Sequence, residues 1–588
     1  MHDASSQPCA AIRDAAGGWL FFDEPQAVLT ASTPGDVQEC LARIEQYAAD
    51  GLYAAGFVGY EAGPAFDDAL AAFEPDEVPL AWFGIFRAPV EVPALPPVAA
   101  LPHALQWNPT ITRVEYDSAI AEIRSAIARG DTYQVNYTFR LLAEQFNHDA
   151  WDYFCSICKV SPMPYAAFIN AGRFKVCSFS PELFFRLDGM HLTAEPMKGT
   201  APRGRTTEAD FRLMEELRTS GKDRAENIMI VDMIRNDIGR IAGSGSISVP
   251  ALCTVRRHPT VLQMVSTITG ETDASLSGIF SALFPCASIT GAPKIQASRI
   301  IRTLEKTPRH IYCGAAGWYG PRRRACFNVA IRTVLIDTQE HRAEYGTGSG
   351  IIWESDTARE YEECCLKTAV VAAPMVPDFR LVETMLWKPG EGFFLFERHV
   401  RRLLDTGSYF SFPVDEAAVL RALDRETATF FTDEARRVRL TVDASGTVTV
   451  ESTLFSCAGN ATTIDLLLCP DCIDSDDRFL YHKTTFRQQY ERARARFPTP
   501  DDLLFVNERG ELTETTIGNI ILELDGELLT PPVPCGLLAG VHRGHLLDRG
   551  EIRERVLTPA DLKRAGWIFR INSVRGMQEC TVDIGGLK

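Results

Sequence analysis

A chain of 588 residues is longer than one hydrophobic core organises, so two to four domains are expected. Apolar residues at 46 % and charged residues at 23 % exclude extensive disorder and a fibrous repeat. The formal charge of −17 argues against nucleic acid as a ligand, since a phosphate backbone needs a basic face, and leaves small anions to local Arg, Lys and backbone N–H groups.

The N-terminus MHDASSQPCAAIRDAAGG lacks the basic-then-apolar pattern of a signal peptide, and no stretch of about 18 uncharged apolar residues follows. A cytoplasmic chain with no membrane or nucleic-acid partner is expected. VEVPALPPVAALPH (90–103) is too rich in proline for a helix or a central strand and predicts a loop inside the first domain. The runs FRLLAEQF, YAAFIN, FKVCSFS, LFFRLDG and HLTAEPM predict strands, and DFRLMEELRTSGKDRAENIMIVDMIRNDIGRI predicts an amphipathic helix, which together give a large α+β unit. The helix ending in CCLKTAVVAA is interrupted by Pro374 and Pro377, placing a domain boundary at 375/376. Beyond it RVRLTVD, TVTVEST, IDLLLC, DLLFVN and IILELDG alternate with helices such as TTFRQQYERARARF, predicting a smaller α/β unit over 376–588.

Of the 16 cysteines, Cys155/Cys158 and Cys469/Cys472 form CxxC pairs. They stand some three hundred residues apart in different domains, so buried thiols are favoured over a zinc site.

Asp223 and Glu226 share one helix face, and Glu360 and Glu363 repeat the spacing. Such pairs usually mark a solvated face, but two of them could also face each other across Mg²⁺, which takes a few carboxylates and completes its shell with water and an anionic substrate. SITGAPKIQASRII sets Gly291 and Pro293 at a helix entry, whose free N–H groups suit a carboxylate. Gly346, Gly348 and Gly350 allow close backbone approach to an anion. Arg332, a charge in the apolar run NVAIRTVLI, is either half of an internal ion pair or a carboxylate clamp.

GDTYQVN (130–136), SFSPELFFR (178–186), EPMKGTAPRG (195–204), KDRAENIMIVDMIRNDIGRI (222–241), SITGAPK (288–294), GAAGWYG (314–320), YGTGSGI and REYEE, in this order, resemble the chorismate-utilising enzymes: anthranilate, isochorismate, salicylate and aminodeoxychorismate synthases. The resemblance spans about residues 50–373. It implies Mg²⁺ held by Glu226 and Glu363 with Asp223 and Glu360 around them, and Glu182 as the acid that protonates a departing 4-hydroxyl. Gln134, Thr290, Gly291, Tyr312, Arg332, Gly348, Gly350 and Lys367 are implied to line the substrate site. Gln134 stands where the water-activating enzymes carry lysine, which argues against those activities. Lys198 stands where the C4-aminating members have lysine and the anthranilate-forming ones a small residue, which implies a covalent role as temporary nucleophile at C2. The alternative for Lys198 is an ion pair with Glu195. Gln263 occupies a position where many members have histidine.

In the last third, FLFERHVRRLLDTGSYF with Arg402, YHKTTFRQQYERA with Lys483, ELTETTIGNIILEL with Glu514 just before a strand, GLLAGVHRG (536–544) and INSVRGM (571–577) resemble fold-type IV pyridoxal-phosphate enzymes over about 379–583. The resemblance implies Lys483 as the lysine bonded to pyridoxal 5′-phosphate, Glu514 against its ring nitrogen, and Arg402, Val541, His542, Asn572 and Ser573 at its phosphate. Thr384 in LVETM falls where the lyases face the cofactor. These motifs leave lyase and aminotransferase open. An upstream unit that aminates chorismate implies a downstream lyase releasing pyruvate and 4-aminobenzoate, a folate precursor; the alternative is an anthranilate-forming unit joined to an aminotransferase. Chorismate and ammonia are the implied substrates, with a separate glutamine amidotransferase subunit as nitrogen donor and a homodimer formed through the C-terminal unit.

Overall fold

The computed structural model describes residues 9–584 apart from 15–16, 97, 99–104, 259–260, 373–378, 431–432 and 456–462. It contains two compact units, one of residues 1–202 with 214–376 and one of residues 203–213 with 377–588. The expected boundary at 375/376, with Pro374 and Pro377, falls outside the described residues. Segment 203–213 groups with the second unit because Arg203 and Gly204 bond to Tyr409 there.

Among the described residues the first unit holds two ten-stranded sheets, antiparallel throughout. Their strands are apolar on both faces, because each sheet is covered on both. In Phe174–Ser180, Phe174 and Val176 enter a core between the sheets with Ile12, Phe57 and Trp82, while Cys177 and Phe179 point to a core under helices. The helices Arg113–Ala128, Ala150–Val160, Lys294–Leu304 and Thr357–Ala372 cover one sheet; Pro34–Ala49, Gly221–Gly239 and Leu276–Leu283 cover the other. The result is a helix-coated sandwich.

Two local expectations change. The helix over 210–241 is two, Thr207–Thr219 and Gly221–Gly239, because Ser220 caps the second through a bond from Asp223 N–H to its Oγ (3.3 Å). Within 90–103, Val90–Val92 forms an edge strand beside Trp19–Phe21, where hydrogen bonds are needed on one side only.

The second unit pairs a four-stranded antiparallel sheet with an eight-stranded mixed sheet, in which Ile464–Leu468 runs parallel to both Asp502–Val506 and Gly576–Asp583. Helix Phe396–Phe410 lays Leu403 on Val438 and Leu440 of the smaller sheet. The helix expected from Thr484 begins at Gln488, since Thr484 is bridged to Leu381 and Thr485 N–H is taken by Arg380 O. Among the described residues no helix is long and apolar enough to cross a membrane.

Candidate active sites

The first site forms where the ends of the two sheets meet. Lys198 lies in strand Met197–Pro202, which pairs with Val261–Glu271 at the end of its sheet. From the other sheet, strand Gln134–Ala143 brings Asn136 Oδ1 to 3.5 Å from Lys198 Nζ. Gly350 faces Asn136 across the sheet and keeps this space open: a Cβ there would lie 2.3 Å from Gln134 Nε2 and 3.2 Å from Lys198 Nζ. The ion pair considered between Lys198 and Glu195 does not form. Glu195 is held by Arg256 through two bonds (2.6 and 2.8 Å) and by the Tyr165 hydroxyl (2.6 Å). Burial lowers the pKa of the Lys198 amine, against the opposing pull of Glu226 and Glu182.

Glu182 is 2 % exposed and accepts a 2.6 Å hydrogen bond from Ser288 Oγ. Burial pushes its carboxyl up to about 7, although the Ser288 bond and Lys198 act in the other direction. A carboxyl that carries a proton near neutrality therefore sits within electrostatic reach of an amine whose pKa is depressed, the pairing that acid-assisted displacement needs.

Cationic groups line the same space. Arg332 is buried, and among the described residues its guanidinium has no carboxylate within ion-pair distance; its nearest polar contact is Met163 Sδ at 3.9 Å. Burial lowers its pKa. The internal ion pair considered for Arg332 is thus not formed, and a ligand carboxylate fits it. Lys367 donates to Gly348 O and to Glu363 (2.8 Å each), and Arg332 lies within electrostatic reach of it. Tyr312 is buried, its ring 5.1 Å from the Arg140 guanidinium, and Gly346 is obligatory beside it because a Cβ would lie 2.2 Å from that ring. Thr290 bonds to Cys286 O (3.0 Å), and Gly291, at φ +135°, presses to within 2.2 Å of Gln134 O at its would-be Cβ. Both amide atoms of Gln134 and the Oε1 of Gln263 are buried without a protein partner, as expected of groups that meet a polar ligand.

The four carboxylates proposed around a metal do not converge as one cluster; among the described residues no three His, Cys, Asp or Glu side chains do. Asp223 is drawn to the Ser220 cap at the helix start, and Glu360 is buried in its helix. Glu226 and Glu363 both act on the charge of Lys198 and so border its cavity. Burial raises the pKa of Glu226, with Asp223 and Glu360 adding to the rise. Two carboxylates with an anionic substrate and water suit Mg²⁺.

The second site is a cavity of about 540 Å³ in the second unit, lined by Thr384, Arg402, Lys483, Glu514, Val541, His542, Asn572 and Ser573 among others. All seven residues expected around a pyridoxal phosphate, together with Thr384, therefore meet in one space. Burial, then Arg402, brings the Lys483 amine down to about 8, and Lys483 O is fixed by Val382 N–H (3.1 Å). Glu514 lies within strand Leu512–Thr515 and precedes the strand Asn519–Leu524. Its carboxyl accepts from Tyr490 Oη (2.9 Å) and Asn519 Nδ2 (3.1 Å), and burial pushes it up to about 7. The helix Val541–Asp548 opens on Gly540 with no side-chain cap, leaving first-turn N–H groups at the cavity. Arg402 lines the cavity with Glu383 bound to Nε and Nη2 at 2.8 and 2.7 Å, and its Nη1 donates to Ala539 O (3.2 Å). Buried amine, buried carboxyl and uncapped helix start make a donor set that fits a phosphorylated pyridine aldehyde.

Asn136, Ser288, Glu383, Tyr490 and Asn519 were not singled out by sequence. Asn136 and Ser288 stand inside the motifs GDTYQVN and SITGAPK, and Glu383 is adjacent to Thr384, so the signal was present without a partner to give it meaning. The cysteines of the described residues are free thiols, with Cys155, Cys158 and Cys469 buried and Cys472 exposed.

Residues 90–373 match the family described as chorismate binding enzyme, and residues 380–582 match amino-transferase class IV. The aminodeoxychorismate synthase component 1 of Salmonella typhimurium is 35 % identical over 309 residues, 52 % of this chain and 66 % of that protein. The aminodeoxychorismate synthase of Streptomyces griseus is 39 % identical over 301 residues, 51 % of this chain and 40 % of that protein. The chain thus spans less than two thirds of either relative. In fold, the anthranilate synthase component I of Streptococcus pneumoniae superposes with a TM-score of 0.54 at 21 % identity, covering 63 % of this chain and 94 % of that one.

Proposed function

We propose, on the match of residues 90–373 to chorismate binding enzymes and of residues 380–582 to class IV aminotransferases, that the chain makes 4-aminobenzoate from chorismate in two reactions. The observation that carries the reading is Lys198: its amine is depressed by burial, is not paired with Glu195, and borders Glu182, Glu226 and Glu363. Arg332 and Lys367 hold substrate carboxylates, Gln134 donates through Nε2 and accepts through Oε1, and Gln263 accepts through Oε1 from polar substituents. Glu226 and Glu363 would hold Mg²⁺, which would supply charge neutralisation for a ring carboxylate.

In the first reaction Lys198 Nζ bonds to C2, both ring double bonds shift, and the C4 hydroxyl leaves as water with the proton of Glu182. Ammonia then bonds to C4, both double bonds return, Lys198 is released from C2, and the ammonium formed at C4 gives a proton back to Glu182. The balance is chorismate and ammonia to 4-amino-4-deoxychorismate and water. The name "component 1" among the relatives supports a separate amidotransferase subunit as the ammonia source.

In the second unit, bound pyridoxal phosphate supplies an electron sink next to the substrate amine. Lys483, about half of it neutral at pH 8, takes the C4 proton; Glu514, held by Tyr490 and Asn519, would face the ring nitrogen; and the uncapped helix start would hold the phosphate. Loss of the enolpyruvyl group as pyruvate leaves the aromatic product. We also propose that this unit dimerises, which the mass of the protein in solution tests.

The deciding experiment is a product assay with chorismate, ammonia, Mg²⁺ and pyridoxal phosphate. Wild type releases 4-aminobenzoate, Lys198→Ala loses amination but still converts supplied 4-amino-4-deoxychorismate, and Lys483→Ala accumulates that intermediate. Anthranilate as the aromatic product would overturn the first half; a transaminated product without pyruvate would overturn the second.

A further inference from the structure

Part of the second unit comes from far upstream in the sequence: residues 203–213 belong to it. This segment is built tightly. Arg203 and Asp210 form an ion pair (2.7 Å) with side chains only 6 % and 1 % exposed, and Asp210 Oδ1 also accepts from Gly204 N–H (2.9 Å). Gly204 admits no side chain, because a Cβ would lie 2.1 Å from Asp210 N.

Three bonds lead from the segment toward Lys483. Arg203 donates to Tyr409 O (3.0 Å) and its guanidinium stands 4.5 Å from the centre of the Tyr409 ring. The Tyr409 hydroxyl donates to Gly204 O (2.8 Å). His482, whose ring stacks on Tyr409 with centroids 4.0 Å apart, bonds through Nε2 to Arg205 O (3.1 Å). A carbonyl only accepts, so Nε2 carries the proton. Burial, together with Arg478 and Arg203, holds His482 down to about 4 and hence neutral. His482 lines the cavity beside Lys483, whose own carbonyl is pinned on the other side by Val382.

We propose that segment 203–213 is a positioning element of the second active site, fixing the His482 imidazole through Arg205 O and Tyr409 and thereby the backbone that presents Lys483. The proposal rests on the reading of Lys483 as the cofactor lysine. A buried ion pair and a stacked ring set the entry of the Lys483 backbone, so the reach of its amine depends on residues that no inspection of 377–588 alone would include.

The test uses the full chain with Tyr409→Phe, which removes the bond to Gly204 O but keeps the stack, and Asp210→Asn, which keeps shape but removes charge. Absorbance of the lysine-bound cofactor is titrated against pH, and conversion of supplied 4-amino-4-deoxychorismate is measured. Both variants are expected to shift the titration midpoint and lower kcat about tenfold with KM within about twofold, while chorismate amination is unchanged. A midpoint and kcat equal to wild type in Tyr409→Phe overturn the proposal, even where Asp210→Asn does not fold. Wild type without cofactor absorbance overturns instead the reading of Lys483.

Discussion

Glu182→Gln separates the stability of the first unit from its chemistry. The side chain is 2 % exposed, and burial raises its carboxyl from an ordinary 4.5 to about 7. At 1.36 kcal/mol per pH unit that rise corresponds to about 3 kcal/mol. The folded pKa lies above the unfolded one, so the contribution of Glu182 to stability is fully present below pH 4.5 and is lost as pH rises through about 7. Gln keeps the Ser288 hydroxyl as a partner but never ionises. The variant should therefore match wild type in stability at pH 4 and exceed it by about 3 kcal/mol at pH 8, read from the unfolding transition of the first unit in denaturant across that range. It should also lose about 10²- to 10⁴-fold in chorismate amination, the size of a missing general acid. In wild type, amination should fall on the alkaline side of about pH 7 as Glu182 gives up its proton. A stability difference that stays constant from pH 4 to pH 8, or amination that keeps its rate in Glu182→Gln, refutes the assignment of a buried, proton-carrying acid.

Three further outcomes follow from the geometry. Arg332→Gln should raise KM for chorismate about 10- to 100-fold, the worth of a charge-assisted pair, without destabilising the fold, because no protein carboxylate loses its partner; an unchanged KM removes the clamp. Gly350→Ala sets a Cβ 2.3 Å from Gln134 Nε2 and 3.2 Å from Lys198 Nζ, and should abolish amination while supplied 4-amino-4-deoxychorismate is still converted at the normal rate. Amination at full rate in that variant would mean the space is not the site. Chelation of Mg²⁺ with EDTA should stop the first reaction and spare the second, with Glu226→Gln raising the Mg²⁺ concentration needed; amination that persists in EDTA rules out the two-carboxylate site.

Local pattern in the sequence determined a good deal. Apolar runs of five to ten residues became two-faced strands, motif glycines became close approaches, and the seven residues expected around a cofactor line one cavity. These features depend on neighbours within a few residues, where spacing carries the information.

What the sequence left open was the choice of partner. Whether Lys198 pairs with Glu195 was decided by Arg256 and Tyr165, which arrive from strands 61 and 30 residues away and take that carboxylate first. The counter-charge of Arg402 comes from Glu383 on the strand Leu381–Lys388, 19 residues away. That Asp223 also faces Ser220 at a helix start was settled by the break in the long helix at Ser220. Segment 203–213 moved to the second unit for the same reason: a buried charge needs its counter-group, and which one it finds is settled by long-range packing rather than by the residues beside it.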